Sequence, residues 1–184
     1  MKIAALVIVA IATVTDLRTH KIPNKLTFPA SAIGIIAQAI YFASWSNSKD
    51  VFLQLAAGFV YGILGWFMGV FVMSFIKFFL RHMGHGDTKL VAAVGTFLGP
   101  WMLLMVIMYY SFAYGIFSTF KLLQALNWWQ VASNVGGADL GDLDMQKVNK
   151  VRKQIIPVAP LIAIGTLLAI LLEQPTLEFF GFHD

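Results

Sequence analysis

Long apolar runs constrain the fold of this chain more than any other feature of its sequence. Four or more of them approach or exceed the roughly 20 residues that an α-helix needs to cross a bilayer. Of the 184 residues, 59% are hydrophobic and only 12% are charged, whereas about a quarter of an average soluble domain is charged. The sequence therefore predicts an all-α, polytopic membrane protein that forms a single membrane-embedded domain over residues 1–184.

Proline, glycine and polar segments divide the apolar sequence into six predicted spans. Pro23 must follow the end of the first helix, because it lacks a backbone N–H and disfavours helical geometry before it. Asn24 is then a suitable N-cap for the second helix, and Gly99-Pro100 is a natural break between the fourth and fifth spans. The predicted spans are residues 1–16, 27–45, 51–79, 88–100, 101–126 and 155–172, with a cytoplasmic loop at 127–154.

The first apolar run has a second interpretation, as a secretory signal peptide. Lys2 provides a charged start, and Ala10-Ile11-Ala12 is a small-x-small sequence of the kind that is cleaved. The apolar core before that site is short, which favours a first membrane span that ends at Asp16.

Basic residues indicate the orientation of the helices, because cytoplasmic loops of membrane proteins are enriched in Lys and Arg. A single span in place of the fourth and fifth would move the last basic cluster to the outside, against this rule. With six spans, one side holds all 13 Lys and Arg residues except Lys2 and Lys49; the segments on that side are 17–26, 77–89 and 121–154. We therefore predict six spans, with both termini outside.

Four glycines in the third span recur at intervals of four, three and four residues: Gly58, Gly62, Gly65 and Gly69. This spacing places them on one stripe of a helix, where another helix can approach closely. Tight packing within the bundle is the favoured interpretation, and a docking groove for a substrate helix is the alternative.

Two aspartates stand at the cytoplasmic ends of predicted helices. Asp16 closes the first span, and Asp87 opens the fourth within Gly84-His85-Gly86-Asp87. Ionisable groups at such positions are costly and are usually functional. If the bundle brings the two carboxyl groups together, one holds a proton while the other stays charged and can activate water, as in aspartic proteases. Gly84 and Gly86 would let a substrate strand come close to the backbone.

Three motifs resemble those of the type IV prepilin peptidase family, which are intramembrane aspartyl proteases of the Gly-x-Gly-Asp class. The first is Asp16 followed by Ile-Pro-Asn at 22–24, and the second is Gly-x-Gly-Asp-x-Lys-Leu at 84–90. The third, Ile-Pro-x-Ala-Pro at 156–160, is similar to the family's last-span signature. The resemblance extends from the N-terminus to about residue 172.

The resemblance implies a six-span enzyme that removes the leader peptide of prepilin-like precursors, Flp-type pilins or preflagellins, at the cytoplasmic face of the inner membrane. It implies no cofactor. Larger members have paired Cys-x-x-Cys motifs and N-methylate their product, whereas this chain has no cysteine and resembles the short forms, so methyltransferase activity is not expected. The implied catalytic residues are Asp16 and Asp87, with Gly84, Gly86, Lys89, Pro23 and Asn24 supporting the substrate and the loops.

Two other functions fit part of this pattern. A polytopic bundle with acids at helix ends and a Gly-Pro break is also typical of a transporter or channel. These acids lie at one face rather than at the midplane, and no repeat relates the two halves of the sequence. A non-enzymatic pilus-assembly membrane protein, whose glycine stripe docks a partner, is the third interpretation. A lone Asp at a helix end is also commonly a cap or a solvated end.

The remaining sequence signals favour neither a metal nor nucleic acid. His82 and His85 are three residues apart, but Gly84 interrupts the helix between them and no third ligand is evident. A solvent-facing role is therefore predicted for His85. The basic run at 147–153 is best placed on anionic lipid headgroups. The expected partners are precursor proteins and the bilayer, and a homo-oligomer is left open.

Overall fold

The computed structural model describes residues 1–19, 22–45, 50–79, 85–125 and 158–175, and every regular element in these ranges is helical. The loop predicted at 127–154 lies outside the described residues, as do Gly84 and His82. In chain order the helices are α1 (Lys2–Thr19), α2 (Asn24–Trp45), α3 (Val51–Phe79), α4 (His85–Ala125) and α5 (Ala159–Leu171).

The all-helical, multi-pass fold predicted from composition is confirmed. Among the described helices, three are long and apolar enough to cross a membrane, and these lie in α2, α3 and α4. Helix α5 has 13 described residues, fewer than the roughly 20 of a full crossing. Helix α1 has 18 residues and includes three charged ones, Lys2, Asp16 and Arg18. The number of six spans, like the single domain, stays a prediction.

Three helix boundaries differ by three residues from those predicted, and one of them is the start of α4, at His85 rather than at residue 88. Helix α1 continues to Thr19 rather than ending at residue 16, because no Pro or Gly precedes Pro23 and the hydroxyl of Thr19 donates to the carbonyl of Thr15 at 2.8 Å. Helix α2 begins at Asn24 rather than at residue 27. The carbonyl of Pro23 accepts the first turn's N–H groups, from Leu26 at 3.0 Å and from the next residue at 3.4 Å. Asn24 is therefore inside the helix, and the prediction that it caps α2 is wrong.

Helix α4 consists of two arms that meet at Gly99, which has φ 79° and ψ 171°. Positive φ is readily adopted only by glycine, and a Cβ here would lie 2.0 Å from Cε1 of Tyr61. A Cβ built on Gly95 would lie 2.8 Å from Cδ2 of Leu103, although eight residues of straight helix span about 12 Å. The chain therefore turns at Gly99. We call residues 85–98 the first arm and residues 100–125 the second arm; the predicted Gly99-Pro100 break is confirmed.

The glycine stripe of α3 packs against helices of the same chain. A Cβ on Gly58 would lie 2.6 Å from the carbonyl oxygen of Gln38 in α2. Farther along the stripe, a Cβ on Gly65 would lie 2.1 Å from the carbonyl oxygen of Gly95 in the first arm. The backbones touch, and the packing interpretation is confirmed. The alternative, a docking groove for a substrate helix, is wrong because α2 and the first arm occupy the stripe.

The described residues divide into two compact units, Met1–Tyr110 with the segment from Pro157 onward, and Ser111–Ile156. The core of the first unit is the first arm, in which every residue from Leu90 to Leu98 is buried. In the second unit, the described residues 111–125 are helical, and Nζ of Lys121 lies 5.8 Å from the centre of the Phe117 ring.

Candidate active site

Asp16 is the last member of the buried stripe of α1 and is only 7% exposed. The other three members are small or β-branched, and their spacing of four, three and four places all four on one helix face. Helix α5 packs antiparallel on this face, and its far end is joined to the start of α1 by an ion pair between Lys2 and Glu173. The stripe of α1 is Ala5, Val9, Ala12 and Asp16.

The carboxylate of Asp16 meets the N-terminus of α5. The backbone N–H of Ala159 donates to Oδ2 of Asp16 at 3.2 Å, and the contact is buried. Ala159 is the first residue of α5, and the preceding Val158 makes no side-chain cap. The first N–H groups of a helix have no partner within the helix, and their partial positive charge stabilises a carboxylate. Asp16 therefore takes the place of an N-cap residue, although it comes from another helix.

Asp87 lies in the first turn of α4 and is also 7% exposed. The residue before it, Gly86, faces the segment that follows α1, since a Cβ on Gly86 would lie 3.2 Å from Cβ of Ile22. The close approach explains why glycine stands at this position. It also places the end of α1, the start of α2 and the start of α4 at one end of the first unit.

Lys89 connects α4 with α2 rather than reaching an acidic residue in the described part of the chain. Its ammonium donates to Oδ1 of Asn24 at 2.8 Å and lies 5.2 Å from the centre of the Phe28 ring. Pro23 is exposed and contributes its carbonyl to the start of α2. Of the supporting residues predicted from sequence, Asn24 and Lys89 therefore join α2 to the start of α4, whereas Pro23 supports the first turn of α2.

Among the described residues, no group of three or more His, Asp or Glu side chains is arranged to hold a metal ion. The chemistry that this end of the molecule offers is that of two buried carboxyl groups, Asp16 and Asp87, each at a helix N-terminus. Such groups can take up, hold and release protons in a site with little water.

The sequence alone does not predict the hydrogen bond from Ala159 to Asp16. The two residues are 143 positions apart, and a backbone N–H carries no residue-type signal. The one available hint was the Ile-Pro-x-Ala-Pro sequence at 156–160, whose second proline, Pro160, lies in the first turn of α5.

Comparison with known proteins bears on this arrangement. The model of the type IV leader peptidase family matches residues 3–119, a range that includes both aspartates. The prepilin leader peptidase/N-methyltransferase of Legionella pneumophila is 29% identical over 159 residues, which cover 84% of this chain and 43% of that relative. This chain thus spans less than half the length of the curated relative that it matches. No solved structure matches it significantly.

Proposed function

This chain belongs to the type IV leader peptidase family, and on that basis we propose that it is an aspartic endopeptidase that removes leader peptides from type IV prepilin-like precursors. The observation that carries the proposal is the pair of buried carboxyl groups at one end of the first unit, Asp16 and Asp87. Both lie in the part of the chain that the family model matches. The N-methyltransferase activity in the relative's name is not proposed here.

The proposed reaction uses the two aspartates as one proton-sharing pair. The ionised carboxylate takes a proton from a water molecule, whose oxygen attacks the carbonyl carbon of the scissile peptide bond. The protonated carboxyl group donates to the carbonyl oxygen as the tetrahedral intermediate forms. When the intermediate collapses, one of its hydroxyl groups returns a proton to the pair as the C=O bond re-forms, the C–N bond breaks, and the leaving amine takes a proton from the pair.

The substrates proposed are Flp-type pilin or preflagellin precursors, cut at the cytoplasmic face of the inner membrane. The positive-inside distribution supports that face, since the segments around residues 17–26 and 77–89 are basic. Neither a metal nor a cofactor has a part in this mechanism.

Replacing either aspartate by Asn tests the pair. Asp16→Asn and Asp87→Asn keep the side-chain shape but remove the titrating oxygen. We expect each to lower the rate of precursor cleavage by at least about 100-fold, the usual contribution of an acid or base group. The measurement is the rate of leader release from purified precursors co-reconstituted in liposomes. Asp50→Asn is the matched control, because Asp50 is exposed and precedes α3, and we expect it to keep wild-type activity.

If either Asn variant retains full activity, the proton-sharing pair is wrong. If the wild-type chain cuts no precursor in a panel of pilins and preflagellins, the proposed substrate class is wrong. Circular dichroism and size-exclusion chromatography of each variant establish that a loss of activity is not a loss of fold.

The N–H of Ala159 provides a second test, which concerns the orientation of Asp16. Proline at position 159 removes this donor without breaking a bond inside the helix, although it disfavours the helical geometry of Val158 before it, so the fold of this variant is checked by circular dichroism. Because a hydrogen bond to a charged group contributes about 1.5–3 kcal/mol, we expect Ala159→Pro to lower kcat by about ten-fold or more with little change in KM. Ala159→Gly, which keeps the N–H, is the control. A folded Ala159→Pro variant with unchanged kcat would show that the contact does not position Asp16.

A further inference from the structure

A cavity of about 280 Å³ lies among α2, α3 and the first arm of α4 in the first unit. Its lining includes the side chains of Lys77, in the last turn of α3, and Lys89, near the start of α4. The cavity therefore reaches the end of the unit at which α3 ends and α4 begins. The proposed peptidase reaction does not use it.

The α3 wall of the cavity changes in chemistry along the helix. It presents Trp66, Val70, Ser74 and Lys77, whose spacing of four, four and three keeps them on one helix face. Over about 16 Å of helix, the wall passes from an aromatic and an aliphatic side chain to a hydroxyl and then to an ammonium group. This order, apolar toward the middle of the helix and cationic at its end, matches the order of groups along a membrane phospholipid.

The opposite walls add hydroxyl groups near the cationic end. Thr27 and Ser31 come from α2, and Thr88 comes from the first turn of α4. Thr27 is only 2% exposed, and its Oγ1 has no hydrogen-bond partner among the described residues. A buried hydroxyl without a partner costs about 1–3 kcal/mol.

Neither lysine has a carboxylate partner in the described part of the chain. Lys89 donates to the neutral amide of Asn24, and the ion pair found there, Lys2 with Glu173, involves other residues. Two positive charges therefore line one small cavity, and no described carboxylate forms an ion pair with either of them. Such a site favours an anion, and anionic lipid headgroups are attracted to Lys and Arg residues near the membrane surface.

A cavity of this volume is too small to enclose a helical peptide. An α-helix with side chains is about 10 Å wide, so about 280 Å³ holds less than one turn of it. One phosphodiester group with the adjoining part of an acyl chain is of a suitable size and has both required chemistries. We propose that this cavity binds one anionic phospholipid, with the phosphodiester at Lys77 and Lys89 and an acyl chain along Trp66 and Val70.

Lipid titration followed by native mass spectrometry tests this inference without any precursor, so its result is independent of the proposed peptidase activity. The chain, purified and delipidated in mild detergent, is titrated with phosphatidylglycerol or with zwitterionic phosphatidylcholine. We expect one tightly bound phosphatidylglycerol per chain and no comparable phosphatidylcholine. Lys77→Gln should weaken phosphatidylglycerol binding about five-fold, the effect of one lysine near an anionic lipid surface. The control, Lys25→Gln, removes an equal charge from an exposed side chain that does not line the cavity.

A second variant tests the shape of the site rather than its charge. Ser74 is exposed and lines the cavity. Ser74→Phe fills part of the cavity with an aromatic ring and leaves both lysines in place. We expect it to weaken phosphatidylglycerol binding at least as much as Lys77→Gln, with unchanged thermal stability. Unchanged binding in Ser74→Phe, or equal weakening by Lys77→Gln and Lys25→Gln, would overturn the proposal.

Competition distinguishes the lipid from other anions. Inorganic phosphate in large excess should not displace phosphatidylglycerol, because it lacks the acyl chain that the apolar wall requires. A short apolar peptide with a single glutamate should also fail to displace it. Displacement by phosphate would make the cavity a simple oxyanion site, and displacement by the peptide would make it a peptide site; either result would replace the lipid assignment.

Discussion

Helix α3 and the first arm of α4 are both strongly apolar, yet they occupy opposite environments. In an apolar stretch of 18 residues in α3, only 22% of the stretch is buried. In the corresponding stretch of α4, 83% is buried. Large aromatic side chains of α3 point outward, including Phe71 at 72% exposed, while Phe97 of the first arm is 3% exposed. In a bilayer, an outward-facing Phe meets lipid tails that are as apolar as the protein interior. Apolar character alone therefore does not decide which helix is central.

Small residues account for the difference. The first arm has alanine, glycine and threonine between its larger side chains, so neighbouring helices can approach it closely, α2 at Gly34 and α3 at Gly65 and Gly69. Helix α3 has its small residues on one stripe and phenylalanines elsewhere. Close packing of backbones drives helix association in lipid. Because the first arm is held on several sides, Asp87 at its start has a fixed backbone.

The largest difference between α3 and the first arm is expected when one Phe ring is removed from each. Phe97→Ala leaves a cavity in the first arm, and large-to-small changes at buried aromatic sites typically cost about 3–5 kcal/mol. We expect Phe97→Ala to lower the free energy of unfolding by about 3 kcal/mol, at the low end of this range, because the unfolded chain stays in the membrane and also keeps the ring away from water. Phe71→Ala should cost less than about 1 kcal/mol, since lipid fills the space. The measurement is reversible unfolding by sodium dodecyl sulfate in bicelles; equal losses would contradict the comparison.

A smaller effect is expected from adding a methyl group where the backbones touch. A Cβ at Gly95 would lie 2.4 Å from the carbonyl oxygen of Gly65, and backbone cannot move aside as a flexible side chain can. Gly95→Ala should therefore destabilise the protein by about 2 kcal/mol. Gly115 is the matched control, since a Cβ there meets nothing within 4 Å, and Gly115→Ala should be neutral or slightly stabilising. A tolerated Gly95→Ala would show that the first arm packs less tightly than described.

The smallest effect concerns one buried hydroxyl. Thr96 is fully buried in the first arm and donates to the carbonyl of Ala93 at 2.7 Å. Thr96→Val keeps the shape but loses this bond and places a methyl group against Gly34, so we expect a cost of about 1 kcal/mol or less. Ser44→Ala removes a similar bond, from an exposed hydroxyl to the carbonyl of Tyr41 at 2.9 Å, and should have no measurable effect in the same unfolding titration. A larger loss of stability in Ser44→Ala than in Thr96→Val would contradict the expectation that a hydroxyl matters more in the buried first arm than at an exposed position.

The sequence by itself determined the helical membrane fold, the full extent of α3 and the break at Gly99. These features follow from local rules: the length of an apolar run, the conformational limits of proline and glycine, and the spacing of small residues. The sequence also singled out Asp16 and Asp87, since an acidic residue at the end of an apolar helix stands out against its neighbours.

Only the tertiary structure decided which apolar helix is central and what each polar group meets. The bond from Ala159 to Asp16 joins residues 143 positions apart, and the bond from Lys89 to Asn24 joins residues 65 positions apart. Both depend on how the helices are rotated and packed, which no local pattern specifies. Lipid and protein interior are almost equally apolar, so hydrophobicity cannot distinguish an inner helix from an outer one; that choice depends on the fit between backbones.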